Sequence, residues 1–184
     1  MIKTNKVKLS DGKSYKIYFN KKKFHDLNLS FIKKKIEMKN VGMVRYCLHK
    51  SEKDLIQESI IATKGFRYFR THKHPKNKCE TYHIMEGKII ICLIDDSRKI
   101  LKRKIISSKT DTKIFHIDPN IFHLIVPISK IAIWHEVSVG PFEKNKKFII
   151  FDQTSPDYNS TNNKIISYCN KVSGINHFKN KIAK

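Results

Sequence analysis

The sequence predicts an all-β protein, a sandwich or barrel of antiparallel strands. Three observations lead there. From Val44 onward, short apolar runs recur about every ten residues and are separated by turn signals such as Glu86-Gly87, Asp95-Asp96-Ser97, Asp118-Pro119-Asn120 and Gly140-Pro141. No long amphipathic helices alternate with those runs, as a βαβ fold would require. The chain has 184 residues, 40% of them hydrophobic, without an internal repeat or a Pro, Gly or Ser-rich linker, so one core and one domain are the simplest account.

Residues 1–23 alternate apolar and polar positions (Val7, Leu9; Tyr15, Ile17, Phe19) around Ser10-Asp11-Gly12-Lys13, the pattern of a short hairpin. Asp26 to Met38 reads as a lysine-rich helix with its cap at Ser30, ended by Val41-Gly42. Strands follow at Met43 to Leu48, Leu55 to Ala62, Phe66 to His74, Thr81 to Met85, Lys88 to Ile94, Lys99 to Ile106, Lys113 to Ile117, Phe122 to Ile128, Ile131 to Val139 and Lys147 to Phe151. Residues 1–40 form an N-terminal extension packing on the barrel, 41–157 the barrel itself, and 158–184 a polar tail or short helix with a weak amphipathic stretch.

Charge and composition exclude several classes. Against 38 Lys and Arg stand 16 Asp and Glu, a formal excess of +22, which raises nucleic acid as a partner. Lysine outnumbers arginine 33 to 5, a skew that AT-rich codons also produce. No helix-turn-helix, zinc-finger or RNA-binding signature accompanies the lysines, so nucleic acid is not favoured. The charge predicts instead long-range steering of anions. No apolar run reaches the roughly 18 residues that a membrane-spanning helix needs, and no secretory signal is evident, so the expected location is cytoplasmic. Cys47, Cys79, Cys92 and Cys169 are widely spaced, without the pairing of a zinc ribbon or redox dithiol.

The histidines carry the chemistry. His72 and His74 lie two apart on a predicted strand and leave the same face. Glu80 follows beyond a bend at Pro75 and Asn77, and His123 opens another strand behind a turn whose Asn120 tolerates a left-handed backbone. Three imidazoles and a carboxylate suit one divalent first-row metal (iron, manganese, nickel, cobalt or zinc) with coordination positions left open.

The order Gly65, His72, His74, Glu80, Gly87 and His123 resembles the two motifs of the cupin superfamily. That resemblance implies a cupin jelly-roll β-barrel, also called a double-stranded β-helix, with the metal between two strand pairs. More closely, MVRYCLHKSEKD at 43–54, RTHKHPKNKCETYHIMEGKI at 70–89, CLIDDSRKI at 92–100 and WHEVSVGPFE at 134–143 resemble the WbuC family of cupin metalloproteins, over roughly residues 40–157. Members of that family often sit among genes for lipopolysaccharide and O-antigen synthesis. The chain departs from the family at Ile150-Phe151-Asp152-Gln153, at the turn before His123 and in its first 23 residues. Cupins also commonly dimerise through barrel edges, which implies a homodimer.

Within the matching stretches, Arg45, His49, Arg70 and Lys78 are candidates to hold a phosphate or carboxylate near the metal, with surface ion pairing the alternative. Alternation allows only one of His135 and Glu136 to face inward; Glu136 is the preferred general acid or base. Tyr82 and Phe122 are candidate cavity walls, and Tyr82 a substrate contact. His83 has the wrong parity for a ligand, and His25, His116 and His177 are expected to be ordinary residues. The leading function is a metal-dependent enzyme on a sugar or sugar-nucleotide-like substrate of surface-polysaccharide synthesis, by isomerase, epimerase, lyase or, with iron, dioxygenase chemistry. The alternative is a non-catalytic cupin that senses a small anionic or sugar-like ligand.

Overall fold

A computed structural model describes residues 4–8, 14–19, 28–38, 41–142 and 149–176. Twelve strands and two helices appear in the order β1 (Thr4–Lys8), β2 (Ser14–Phe19), α1 (Leu29–Glu37), β3 (Met43–Cys47), β4 (Ile56–Lys64), β5 (His72–Lys73), β6 (Glu80–Glu86), β7 (Lys88–Ile94), β8 (Ile100–Ser107), β9 (Ile114–Ile117), β10 (Phe122–Pro127), β11 (Ile131–Val139), β12 (Ile150–Phe151) and α2 (Asn162–Ser173). They form two facing sheets, β1-β2-β3-β4-β11-β6-β9 and β12-β5-β10-β7-β8, the two layers of a cupin jelly roll.

Burial on both sides explains the longest apolar run. On β7, Ile89 and Ile91 point between the sheets with Ile61, Ile84 and Trp134, while Ile90, Cys92 and Ile94 point outward under Ile165, Cys169 and Val172 of α2. The outer face of the larger sheet is covered in part by α1, whose Ile32 and Ile36 meet Val44, Ile60 and Ile133. A helix on each outer face thus turns parts of the two sheets into a four-layer stack.

Several elements differ from the expectation. In the N-terminal extension β1 and β2 pair antiparallel, as the hairpin pattern predicts, but β2 also runs parallel to β3 and so joins the large sheet. The turn at 10–13 lies outside the described residues. Helix α1 is capped by Asn28 and not by Ser30, because Asn28 takes an extended backbone and its side chain accepts the Ser30 N–H at 2.8 Å. The run from Phe66 to His74 is a strand only at His72–Lys73; residues 66–71 are held by side chains, with the Tyr68 hydroxyl donating to the Pro156 carbonyl. Helix α2 stops at Gly174, whose left-handed backbone (φ 72°) lets its N–H reach the Asn170 carbonyl. Asn120 takes φ 63° in the turn before β10. His25, His177 and the Lys21–Lys23 cluster lie outside the described residues.

Candidate metal centre

Strand register builds the centre. Antiparallel pairing sets His123 of β10 directly across from His72 of β5, and His74 follows two residues later on the same face. Glu80 opens β6 in the opposite sheet, with Tyr82 and Ile84 in the same inward phase. One donor atom from each of His72, His74, Glu80 and His123 lies within 4.8 Å of the other three. The imidazole centroids of His72 and His123 are 4.4 Å apart.

The hydrogen bonds around these rings show what they suit. His72 Nδ1 lies 2.8 Å from the Arg70 carbonyl and His123 Nδ1 lies 3.0 Å from the Ile121 carbonyl. A carbonyl accepts only, so Nδ1–H donates in both and each neutral ring keeps its lone pair on Nε2. His123 Nε2 then faces Glu80 Oε2 at 3.2 Å, and His74 Nε2 faces Oε1 at 2.9 Å. The His123 lone pair beside a carboxylate oxygen repels unless a cation stands between them. His74, Glu80 and His123 are only 3%, 4% and 1% exposed, where protonated rings are costly, so a divalent metal answers the geometry better than protons do.

Electrostatics point the same way. Burial, then the neighbouring His123, push the His72 imidazole down to about 3, so it is neutral and ready to ligate. Burial would push the Glu80 carboxyl up, but His123 and His74, where their facing nitrogens carry protons, hold it well below the usual carboxylate range, and a divalent cation in the same place would do the same. The Tyr82 hydroxyl donates to Glu80 Oε2 at 2.5 Å; burial first, then Glu80 and Glu136, raise its pKa well above its ordinary value, so it stays a donor.

His72, His74 and Glu80 of the centre line a cavity of about 280 Å³. Arg45 and Glu136 both line it and pair at 2.7 Å, largely out of water. Burial opposes the charge on Arg45, yet Glu136 keeps its pKa above the ordinary value. Tyr82 and His49 also line the cavity, the latter with its Nδ1 accepting the Glu58 N–H at 3.0 Å. His135 faces the outside of the sheet and pairs with Glu58 at 2.9 Å, leaving Glu136 as the inward member of that dipeptide.

Three expected residues stand elsewhere. Arg70 does not line the cavity: its guanidinium packs 4.9 Å from the Phe151 ring centroid, donates to Ser155 Oγ and pairs with Asp157. It clamps the segment around β12, which contains the residues that depart from the WbuC pattern. Lys78 is likewise outside the lining, its ammonium donating to the Gly140 carbonyl. Phe122 is opposite in phase to His123 and packs toward α2, under Lys73 and Arg98. His83 and His116 are exposed, the latter within 2.9 Å of Thr81 Oγ1.

Sequence reasoning missed the polar floor. Gln57 of β4 lines the cavity beside Cys47 of β3, with Ser59 in the same phase behind it, and Lys16 arrives from the extension because β2 sets it abreast of Arg45. The signal is present in Ile56–Lys64, where Gln57, Ser59 and Thr63 share one face and Ile60 and Ala62 the other. That segment reads as an apolar run because its apolar face serves α1.

A family model described as Domain of unknown function (DUF6016) matches residues 43–106. No curated protein matches the sequence. Among solved structures, the capsular polysaccharide assembling protein CapF from Staphylococcus aureus is similar at TM-score 0.50 and 16% identity, over 59% of this chain and 29% of that one. A Bacillus subtilis oxalate decarboxylase is similar at TM-score 0.43 and 10% identity, over 53% of this chain and 24% of that one. This chain thus spans under a third of either structure, and such identities speak to the fold alone. The chain has a cupin-like jelly-roll fold, and its His72, His74, Glu80 and His123 form a group suited to a divalent metal.

Proposed function

We propose that the protein is a metal-dependent enzyme acting on a small sugar-like or sugar-nucleotide-like substrate of surface-polysaccharide synthesis. One observation carries the reading: a group of four metal-suited donors, three of which line the cavity, shares that cavity with a half-buried Arg45–Glu136 pair. A divalent ion at these donors would supply a Lewis acid for a substrate carbonyl or hydroxyl oxygen. Glu136 takes and returns the substrate proton, and Arg45 holds its carboxylate in place at 2.7 Å. Tyr82 and the Arg70 and Ile121 carbonyls keep Glu80, His72 and His123 oriented. The closer likeness of 43–54, 70–89, 92–100 and 134–143 to the WbuC family supports the polysaccharide setting, as does a fold shared with CapF.

The sensing alternative draws support from the same ion pair, since a carboxylate tied to a guanidinium also suits fixed recognition. The test is metal analysis of untagged protein purified anaerobically, comparing wild type with His72→Ala and His123→Ala, followed by a turnover screen on sugars and nucleotide sugars. About one metal per wild-type chain, lost in both variants, with wild-type turnover abolished by Glu136→Gln, supports the enzyme. Equal metal in all three removes the metal centre, and metal-dependent ligand binding without turnover favours the sensor.

A further inference from the structure

We infer that the ligand of this cavity is a hydroxylated six-membered ring, held edge-on between the metal group and the Arg45–Glu136 pair. The inference rests on the proposed reading and narrows its substrate class from a sugar or sugar nucleotide to the ring itself as the recognised unit.

The inner face of the large sheet supplies the first argument. Register sets Cys47, Ser59, Glu136 and Tyr82 abreast across four strands, and sets Gln57, Ser138 and Glu80 abreast in the row beside them. Ser59, Gln57, Ser138 and Glu80 are all at most 4% exposed. Gln57 finds its partners in the Ser51 and Asp54 carbonyls at 3.1 and 2.9 Å, which leaves Glu136 and Glu80 as the groups of these rows that meet a ligand. Glu136 stands opposite Tyr82, so Glu80 is its diagonal neighbour, about 7–8 Å away in such pairing. One ring bearing oxygens on both edges spans that gap.

A second, independent observation is Trp134. It lines the cavity at 1% exposure, and its indole Nε1–H has no hydrogen-bond partner among the described residues. A buried donor without an acceptor is costly, and a ligand oxygen would satisfy it. Phe69 packs edge-on against Trp134 with centroids 5.8 Å apart, and Phe151 and Tyr158 line the outer part, giving apolar surface for the C–H faces of a ring.

Charge decides between a ring of hydroxyls and a small dicarboxylate, which could also chelate a metal. Carboxylates stand at both ends of the span, Glu80 among the metal donors and Glu136 at the far side, and Arg45 and Lys16, which also line the cavity, each face a carboxylate already, Glu136 at 2.7 Å and Glu52 at 3.4 Å. A second anionic group would meet Glu136, whereas hydroxyls can donate to Glu136 and accept from Arg45 and Trp134.

Trp134 is the only tryptophan, so its emission reports on the cavity directly. Zinc-loaded protein is titrated with methyl mannoside, methyl galactoside and methyl glucoside, and separately with oxalate. The expected result is a saturable emission change with at least one glycoside, weakened at least tenfold in Arg45→Met/Glu136→Gln, which removes both charges together and strands neither. Glu136→Gln alone serves as the milder variant, and zinc content is measured in each. A glycoside response equal in wild type and both variants overturns the inference. Saturation by oxalate with no glycoside response also overturns it, while leaving a metal-centred binding site standing. Silence toward every ligand by zinc-loaded protein overturns both the inference and the reading beneath it.

Discussion

Replacing Tyr82 with phenylalanine deletes one oxygen from the support of the metal group and little else. Tyr82 is 2% exposed, and its hydroxyl donates to Glu80 Oε2 at 2.5 Å, an oxygen that also faces His123 Nε2 at 3.2 Å. A hydrogen bond to a charged acceptor is worth roughly 1.5–3 kcal/mol. At about 1.4 kcal/mol per tenfold, its loss weakens metal binding by roughly 10- to 100-fold, the range typical for partners that orient metal ligands. The assay is chelator-competition titration of metal-stripped protein with zinc, followed through Trp134 emission, with the cobalt absorption spectrum as a second readout of ligand geometry. Circular dichroism and the melting temperature establish that the variant folds. Zinc affinity within about twofold of wild type, with an unchanged cobalt spectrum, would refute the reasoning, because Glu80 would then be held by its imidazole neighbours alone.

Two further outcomes follow from the same structure. In metal-stripped protein, His72 titrates near 3 when folded and near 6.5 when unfolded, so between those values the unfolded chain binds a proton that the folded chain does not. Stability from this group is complete above pH 6.5 and is lost as pH falls toward 3, by at most about 1.4 kcal/mol per pH unit and less for its partial exposure. Glu80, held low, adds a loss of the same sign further into acid. Urea unfolding from pH 7.5 to 4.5 should therefore show a shallower pH slope in His72→Gln than in wild type, and equal slopes would contradict the burial assigned to this ring. Gly87→Ala places a methyl group against the Ile131 carbonyl oxygen at a backbone φ of +76° and should destabilise by on the order of 2–4 kcal/mol in urea unfolding; a change under about 1 kcal/mol would mean the β6–β7 turn relaxes freely.

Much of the centre is legible along single strands. His72 and His74 share a face because strand side chains alternate, and the same rule separates His135 from Glu136, whose opposite faces the structure shows in Glu58 on one side and Arg45 on the other. Turn signals every ten residues or so mark most strands closely. What stays hidden depends on partners distant in sequence. Nothing near Arg70 announces Asp157, and nothing near Phe122 announces Lys73 and Arg98 stacked on its ring. Ile56–Lys64 looks apolar throughout because its outward face is consumed by α1, an element well upstream in the chain, while its polar face floors the cavity.

The amino-acid sequence carried the antiparallel β fold in its local periodicity, and it carried His72, His74, Glu80 and His123 as a metal-suited group through an order of residues that resembles the cupin motifs. The assembled fold alone sets Lys16 of the extension beside Arg45, pairs β12 with the strand carrying His72, and aligns a row of polar residues on the sheet face that carries Trp134. Those facts depend on register between strands far apart in the chain, and register is selected by the burial of whole faces at once, so no local pattern carries it.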